Sequence, residues 1–200
     1  MKSQKTLEME TKLPHKPFYF MRHGTTESNM QQICQGQLDI PLNEIGIQEA
    51  NNAVIENHEI THVFYSPLKR ASETACIVTH LLTCPKIVLD DLKEWHFGDL
   101  QGKPWHLSHE EKAQQFKTLN PENGESSQQF YARIIKVING ALHQSAVPLF
   151  ISHGGVFRVI ADTLEIDHPQ LGNCELIKLI PPADAFKSWS IIRLKAGILR

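Results

Sequence analysis

Four short, largely apolar runs recur along the chain, at Phe18 to Met21, His62 to Tyr65, Lys86 to Leu89 and Pro148 to Ile151. Each is too short for an ordinary helix and gives way to polar residues, the form of a strand buried on both faces. Between them, apolar positions step by three and four: Ala71, Ala75, Val78 and Leu82 in one segment, Phe130, Ile134, Val137 and Ala141 in another. That spacing lays one stripe along a helix. A third helix is expected from about Glu44 to Glu56, with Asn43 as its cap and Gly46 as a weak point inside it. Strands alternating with helices predict an α/β domain, a three-layer α/β/α sandwich with a mostly parallel central sheet. Cys174 to Ile180 and Ser188 to Leu194, separated by Pro181-Pro182, predict two more strands as a hairpin at one edge. The polar stretch from Trp105 to Glu125 has a poor helical pattern and ends in Asn120-Pro121 and Asn123-Gly124 turns. It is expected as an insertion over the carboxyl ends of the strands.

Length and composition narrow the class. Two hundred residues suit a single domain, taken as residues 17–200 behind a loose N-terminal tail, 1–16. Lys plus Arg is 20 and Asp plus Glu is 22, a net charge of −2 with histidine neutral, so no general basic field exists to hold nucleic acid. No apolar run approaches the ~18 residues of a membrane span. The first residues alternate Lys, Glu and Thr without an apolar leader core, and a cytoplasmic location is expected. Cys34, Cys76, Cys84 and Cys174 form no CxxC pair, so neither a metal site nor a disulfide is expected from them. Eleven histidines remain to be explained.

Ligands of open α/β sheets bind beyond the carboxyl ends of the strands. Three strand ends carry chemistry: Arg22-His23-Gly24, Ser66 to Arg70, and Ser152-His153-Gly154-Gly155. Ser66 is expected to cap a helix that has Pro67 at its first position, which puts Arg70 in the first turn beside free N–H groups. Glycine directly after each histidine allows close approach of backbone to ligand. Arg22, Arg70, His23 and His153 in one crevice make a local cationic pocket, suited to a phosphate dianion.

In that order the residues resemble the histidine phosphatase superfamily, the phosphoglycerate mutase-like proteins. The opening motif reads Arg22-His23-Gly24-Thr25-Thr26-Glu27-Ser28-Asn29 and continues through Gln35-Gly36. A second block runs from Ser66 to Ala75, a third from Glu94 to Gly102, and Gly124-Glu125-Ser126 opens the long helix before Ser152-His153-Gly154-Gly155. The resemblance implies that His23 is a nucleophile that becomes phosphorylated. It implies that Arg22, Arg70 and His153 hold phosphoryl oxygens, with Gly154 beside them, and that Glu94 gives the leaving group its proton. Asn29 and Gln35 match positions lining the phosphate site. No metal or cofactor is implied, and the partner is a small phosphomonoester.

Residues between Gly102 and Gly124 include Lys103, Lys112 and Lys117 but no arginine pair to grip a second acidic group. The expected activity is therefore phosphomonoester hydrolysis, with a cofactor-dependent phosphoglycerate mutase as the alternative. A non-catalytic phosphate-binding module is a third reading. Trp95, His96, Phe97, Trp105, His106 and His109 either line the pocket or pack beneath the insertion, and nothing in the sequence selects the leaving group.

Overall fold

The computed structural model describes residues 13–56, 59–105, 111, 114, 118–167, 170–184 and 188–194. Its centre is a six-stranded sheet of β1 (Phe18–Arg22), β2 (His62–Tyr65), β3 (Lys86–Val88), β4 (Pro148–Ser152), β5 (Leu176–Ile180) and β6 (Ser190–Leu194), in the order β3-β2-β4-β1-β5-β6. The first four strands are mutually parallel. The last two form an antiparallel hairpin against β1, the edge expected from the sequence.

Alternation along each strand sorts side chains between two cores. Phe18, Phe20, Phe64 and Phe150 point to one face, where α4 (Ser127–Gln144) and α5 (Gly154–Thr163) cover them. Tyr19, Met21, Val63, Leu149 and Ile151 point to the other, under α2 (Glu44–Asn52) and α3 (Lys69–Val78), while α1 (Glu27–Met30) is a single turn after β1. This is why β1, β2 and β4 read as continuous apolar runs: neither face of them meets water. β3 departs from the expectation of a doubly buried strand, because it lies at the sheet edge and is exposed throughout. The aromatic face is joined ring to ring, with Phe64 and Phe150 stacked at 5.6 Å.

Several boundaries differ from expectation for physical reasons. α2 stops at Asn52, short of Glu56, and its cap is as expected, Asn43 accepting the Gly46 N–H at 2.9 Å. Gly46 is a requirement rather than a weakness, because a Cβ there would stand 2.1 Å from the Thr25 carbonyl oxygen. The α4 stripe passes through Ile138, fully buried, in place of the half-buried Val137. Ser126 caps α4 in a capping box with Gln129. The tail does not extend to Lys16: Leu13 is buried in the core, and the Lys16 ammonium donates to the Leu142 and Ser145 carbonyls at the end of α4. Much of the expected insertion, 106–110, 112–113 and 115–117, lies outside the described residues. The helix α5 was not expected: it starts on the Gly-Gly pair that reads as a loop, although Arg158 and Asp162, four apart, mark a polar side along it. No helix among the described residues is long and apolar enough to cross a membrane.

Candidate active site

Strand register assembles the site. β1 and β4 pair with Arg22 opposite Ser152, so the next residues, His23 and His153, emerge side by side with ring centroids 5.2 Å apart. β2 pairs with β4 so that Ser66 follows beside Ser152. The ladder runs one step beyond the strands, with His23 N–H donating to the Ser152 carbonyl and Ser66 N–H to that of Ile151.

His23 Nδ1 lies 2.7 Å from the Gly24 carbonyl oxygen. A carbonyl can only accept, so Nδ1 carries the proton, and in the neutral ring Nε2 keeps its lone pair. Burial first, then the charges of Arg70 and Arg22, hold the pKa well below 6.5 and keep the ring neutral. The loop that aims the ring is clamped from all sides. Gly24 N–H donates to Thr74 Oγ1 on α3, Asn173 Nδ2 donates to the His23 carbonyl, and Glu49 on α2 accepts the Thr25 N–H and hydroxyl. A Cβ on Gly24 would stand 2.7 Å from the Gly46 carbonyl oxygen.

The arginines are held by carbonyls. Arg70, almost wholly buried, donates from Nη1 to Leu38 and from Nη2 to Gly36, at 2.8 and 2.7 Å. Arg22 donates from Nη1 to the Leu171 carbonyl at 2.9 Å. Burial lowers both guanidinium pKa values, that of Arg70 to about 10, while Glu94 opposes the shift in each. The Nε atoms of Arg22 and Arg70 are buried with no hydrogen-bond partner, as are Gln35 Oε1 and His153 Nδ1. Buried donors are seldom left unpaired unless the site receives a ligand, water or ion.

The start of α3 corrects an expectation. Ser66 is not its cap; the helix begins at Lys69 after Leu68. Ser66 Oγ accepts the Leu68 N–H and lies 2.8 Å from His153 Nε2. The donors expected to be free are spent: Asp39 Oδ1 accepts from Lys69 N–H at 2.7 Å and the Ile40 carbonyl from Arg70 N–H at 3.1 Å. Attraction for an anion here belongs to the guanidinium rather than to the helix terminus.

Glu94 faces the cleft from the opposite side. Its Oε1 accepts the Trp95 N–H and its Oε2 the Gly155 N–H in the first turn of α5, at 2.9 and 3.0 Å. A cleft of about 460 Å³ brings Arg22, His23, Arg70, Glu94, Asn29, Gln35 and Gly154 together. His153 is fully buried beneath His23. Asn29 Oδ1 accepts from Thr26, so only its amide nitrogen is available to the cleft. The aromatic segment divides. Trp95 is fully buried, stacked on Phe130; Phe97 and Trp105, in edge contact at 4.6 Å, form a wall of the cleft; and His96 turns to a separate hollow with Gln37 and Asn123. His106 and His109 lie outside the described residues.

The sequence pattern of the histidine phosphatase superfamily (branch 1) matches residues 18–188. The chain belongs to the histidine phosphatase superfamily. Among relatives in this superfamily, the uncharacterized phosphatase PhoE of Bacillus subtilis is 31% identical over 162 residues, covering 78% of this chain and 81% of that protein. The metal-independent phosphoserine phosphatase of Arabidopsis thaliana is 33% identical over 155 residues, covering 70% of this chain and 65% of that one. A crystal structure of phosphoglycerate mutase from Thermus thermophilus superposes with a TM-score of 0.73 at 25% identity, covering 90% of this chain and 99% of the other.

Sequence reasoning missed the contacts of Glu49 and Asn173 with the His23 loop, Glu49 lying in a block that continues the opening motif and Asn173 outside every motif. Each acts across elements far apart in the chain, and no local spacing announces such a contact.

Proposed function

We propose that this histidine phosphatase superfamily member hydrolyses a small phosphomonoester through a phosphohistidine on His23. The observation that carries the reading is the pairing of a neutral His23, whose Nδ1 is committed to the Gly24 carbonyl, with buried guanidinium nitrogens of Arg22 and Arg70 that have no partner. A phosphoryl dianion supplies the acceptors those donors lack.

His23 Nε2 attacks phosphorus; the N–P bond forms as the ester P–O bond breaks, and the leaving oxygen takes a proton from Glu94. Water then attacks the phosphohistidine, forming a P–O bond and breaking N–P, while its proton returns to the Glu94 carboxylate. Charge on the transferring oxygens is met by Arg22 and Arg70, a role for which one arginine is worth ~10³–10⁵ in rate. When the Ser66 hydroxyl donates to His153 Nε2, the one proton of that neutral ring sits on Nδ1, ready for a phosphoryl oxygen. Burial, with Arg70 as the largest neighbouring charge, keeps that ring neutral. General acid catalysis by Glu94 contributes ~10²–10⁴. The phosphatase names of two relatives support hydrolysis, and the mutase name of a solved neighbour keeps phosphoryl transfer to a second hydroxyl as the alternative.

The test is release of p-nitrophenol from its phosphate ester. Wild type turns over, His23→Ala does not, and a rapid acid-free quench with labelled ester yields a phosphoprotein only in the wild type. Equal turnover by the two proteins would defeat the phosphohistidine route, and tight phosphate binding without turnover in wild type would favour the non-catalytic module. Incubation with 3-phosphoglycerate and 2,3-bisphosphoglycerate separates the alternatives: free phosphate is expected, whereas isomerisation without it would establish the mutase.

A further inference from the structure

The segment that carries Glu94 is fastened by its backbone. Four consecutive carbonyls, those of Asp91, Leu92, Lys93 and Glu94, each accept a hydrogen bond from a side chain elsewhere in the fold. Ser152 Oγ takes Leu92, and one guanidinium reaches the other three: Arg133 on α4 donates from Nη1 to Asp91 and Lys93, at 2.7 and 2.9 Å, and from Nη2 to Glu94 at 3.3 Å, a carbonyl that also accepts from Gln37 Nε2 at 2.9 Å. The same side chain forks onto Glu125, Nε to Oε1 at 2.9 Å and Nη2 to Oε2 at 2.7 Å, and lies over the Phe130 ring at 5.1 Å. The Glu125 carbonyl in turn accepts the Trp95 indole N–H at 2.6 Å, and the Trp95 backbone N–H donates to the Glu94 carboxylate. Arg133, Glu125, Trp95 and Glu94 therefore close a ring of contacts. Its guanidinium and carboxylate are largely buried, with side chains 17% and 15% exposed, so the pair is little weakened by solvent. Arg133 is not among the residues lining the cleft.

We propose that Arg133 is a positioning residue for the proton donor, setting the distance and angle at which the Glu94 carboxyl meets the leaving-group oxygen; this rests on the role given to Glu94 above. A group that aims an acid matters in proportion to how much the leaving group needs a proton. A displacement of about 1 Å at a reacting group can lower rate ~10²-fold. Lysine at 133 keeps the positive charge but has no planar fork, and cannot hold Glu125 and three carbonyls at once.

The experiment measures kcat/KM for two esters: p-nitrophenyl phosphate, whose phenolate leaves without a proton, and β-glycerophosphate, whose alkoxide requires one. Glu94→Gln should lose about a hundredfold or more on β-glycerophosphate and far less on p-nitrophenyl phosphate. Arg133→Lys should show the same asymmetry, about tenfold greater loss on the alkyl ester, and the double variant should be no more asymmetric than Glu94→Gln alone. Equal losses of Arg133→Lys on both esters, with Glu94→Gln asymmetric, would reduce Arg133 to general structural support and overturn the proposal. Equal losses in Glu94→Gln would instead defeat the proton-donor reading on which it stands. Should Arg133→Lys fail to fold, Glu125→Gln, which unpairs the fork and leaves the carbonyl contacts, decides the matter by the same ratio, an unchanged ratio counting against the proposal.

Discussion

His23 and His153 share a cost that shows in the pH dependence of stability. Both rings are buried and held neutral, their pKa values well below 6.5 through burial and the nearby guanidinium groups. In the unfolded chain each takes a proton as pH falls through about 6.5, while the native protein resists. The unfolded state then binds more protons, so the free energy of unfolding falls as pH falls, by up to about 1.4 kcal/mol per pH unit for each histidine, until the native pKa is reached. Above that window neither state is charged and the contribution is constant. Urea midpoints between pH 7 and pH 5 should fall in wild type, with a shallower slope in His153→Asn. An unchanged slope would show that the ring is charged in the folded state. The same residues were legible in the sequence because each is followed by glycine at a strand end. Their neutrality was not, since it depends on arginines brought from elsewhere.

Among the elements, α2 is the least self-sufficient and the most informative. It is nine residues long and packs so closely on the His23 loop that its third residue must be glycine. Gly46→Ala should cost about 1–3 kcal/mol as an overpacked contact, despite alanine's better helix propensity. Thermal unfolding measures the loss, and activity should fall with it because Thr25 and Gly24 must shift. Helix propensity alone predicts the opposite sign. This is where sequence reading failed: periodicity located the helix and its Asn43 cap, yet the reason for Gly46 lies in a residue 21 positions earlier. The same limit applies to α3, whose first donors are taken by Asp39 and Ile40 rather than by a local cap. Elements announced by a short apolar run or by a stripe were legible; α5 begins at motif glycines that read as a loop, and its stripe opposite Arg158 and Asp162 starts only beyond them.

For the molecule as a whole, a net charge of −2 coexists with two buried guanidinium groups at one cleft. With so little net charge to draw an anion from a distance, the proposed phosphate would be held by short-range donors. Inorganic phosphate should therefore raise the melting temperature of wild type, an excess of 100 times its dissociation constant adding about 2.7 kcal/mol. Arg70→Ala should abolish the shift. A shift that survives this substitution, or one that disappears merely on adding moderate sodium chloride, would place binding on the surface instead.

The rung that pairs Arg22 with Ser152 also governs how such a chain can vary. Because side chains alternate along a strand, one residue inserted into β1 sends His23 to the opposite face and out of step with His153, which keeps its place beside it only if β4 shifts by one as well. Substitutions within the two strands are constrained by size and polarity, whereas their lengths are constrained as a pair. A change of length is accordingly expected to be tolerated in the loops outside the paired strands. There the chain can lengthen and acquire new side chains while the two histidines stay in step.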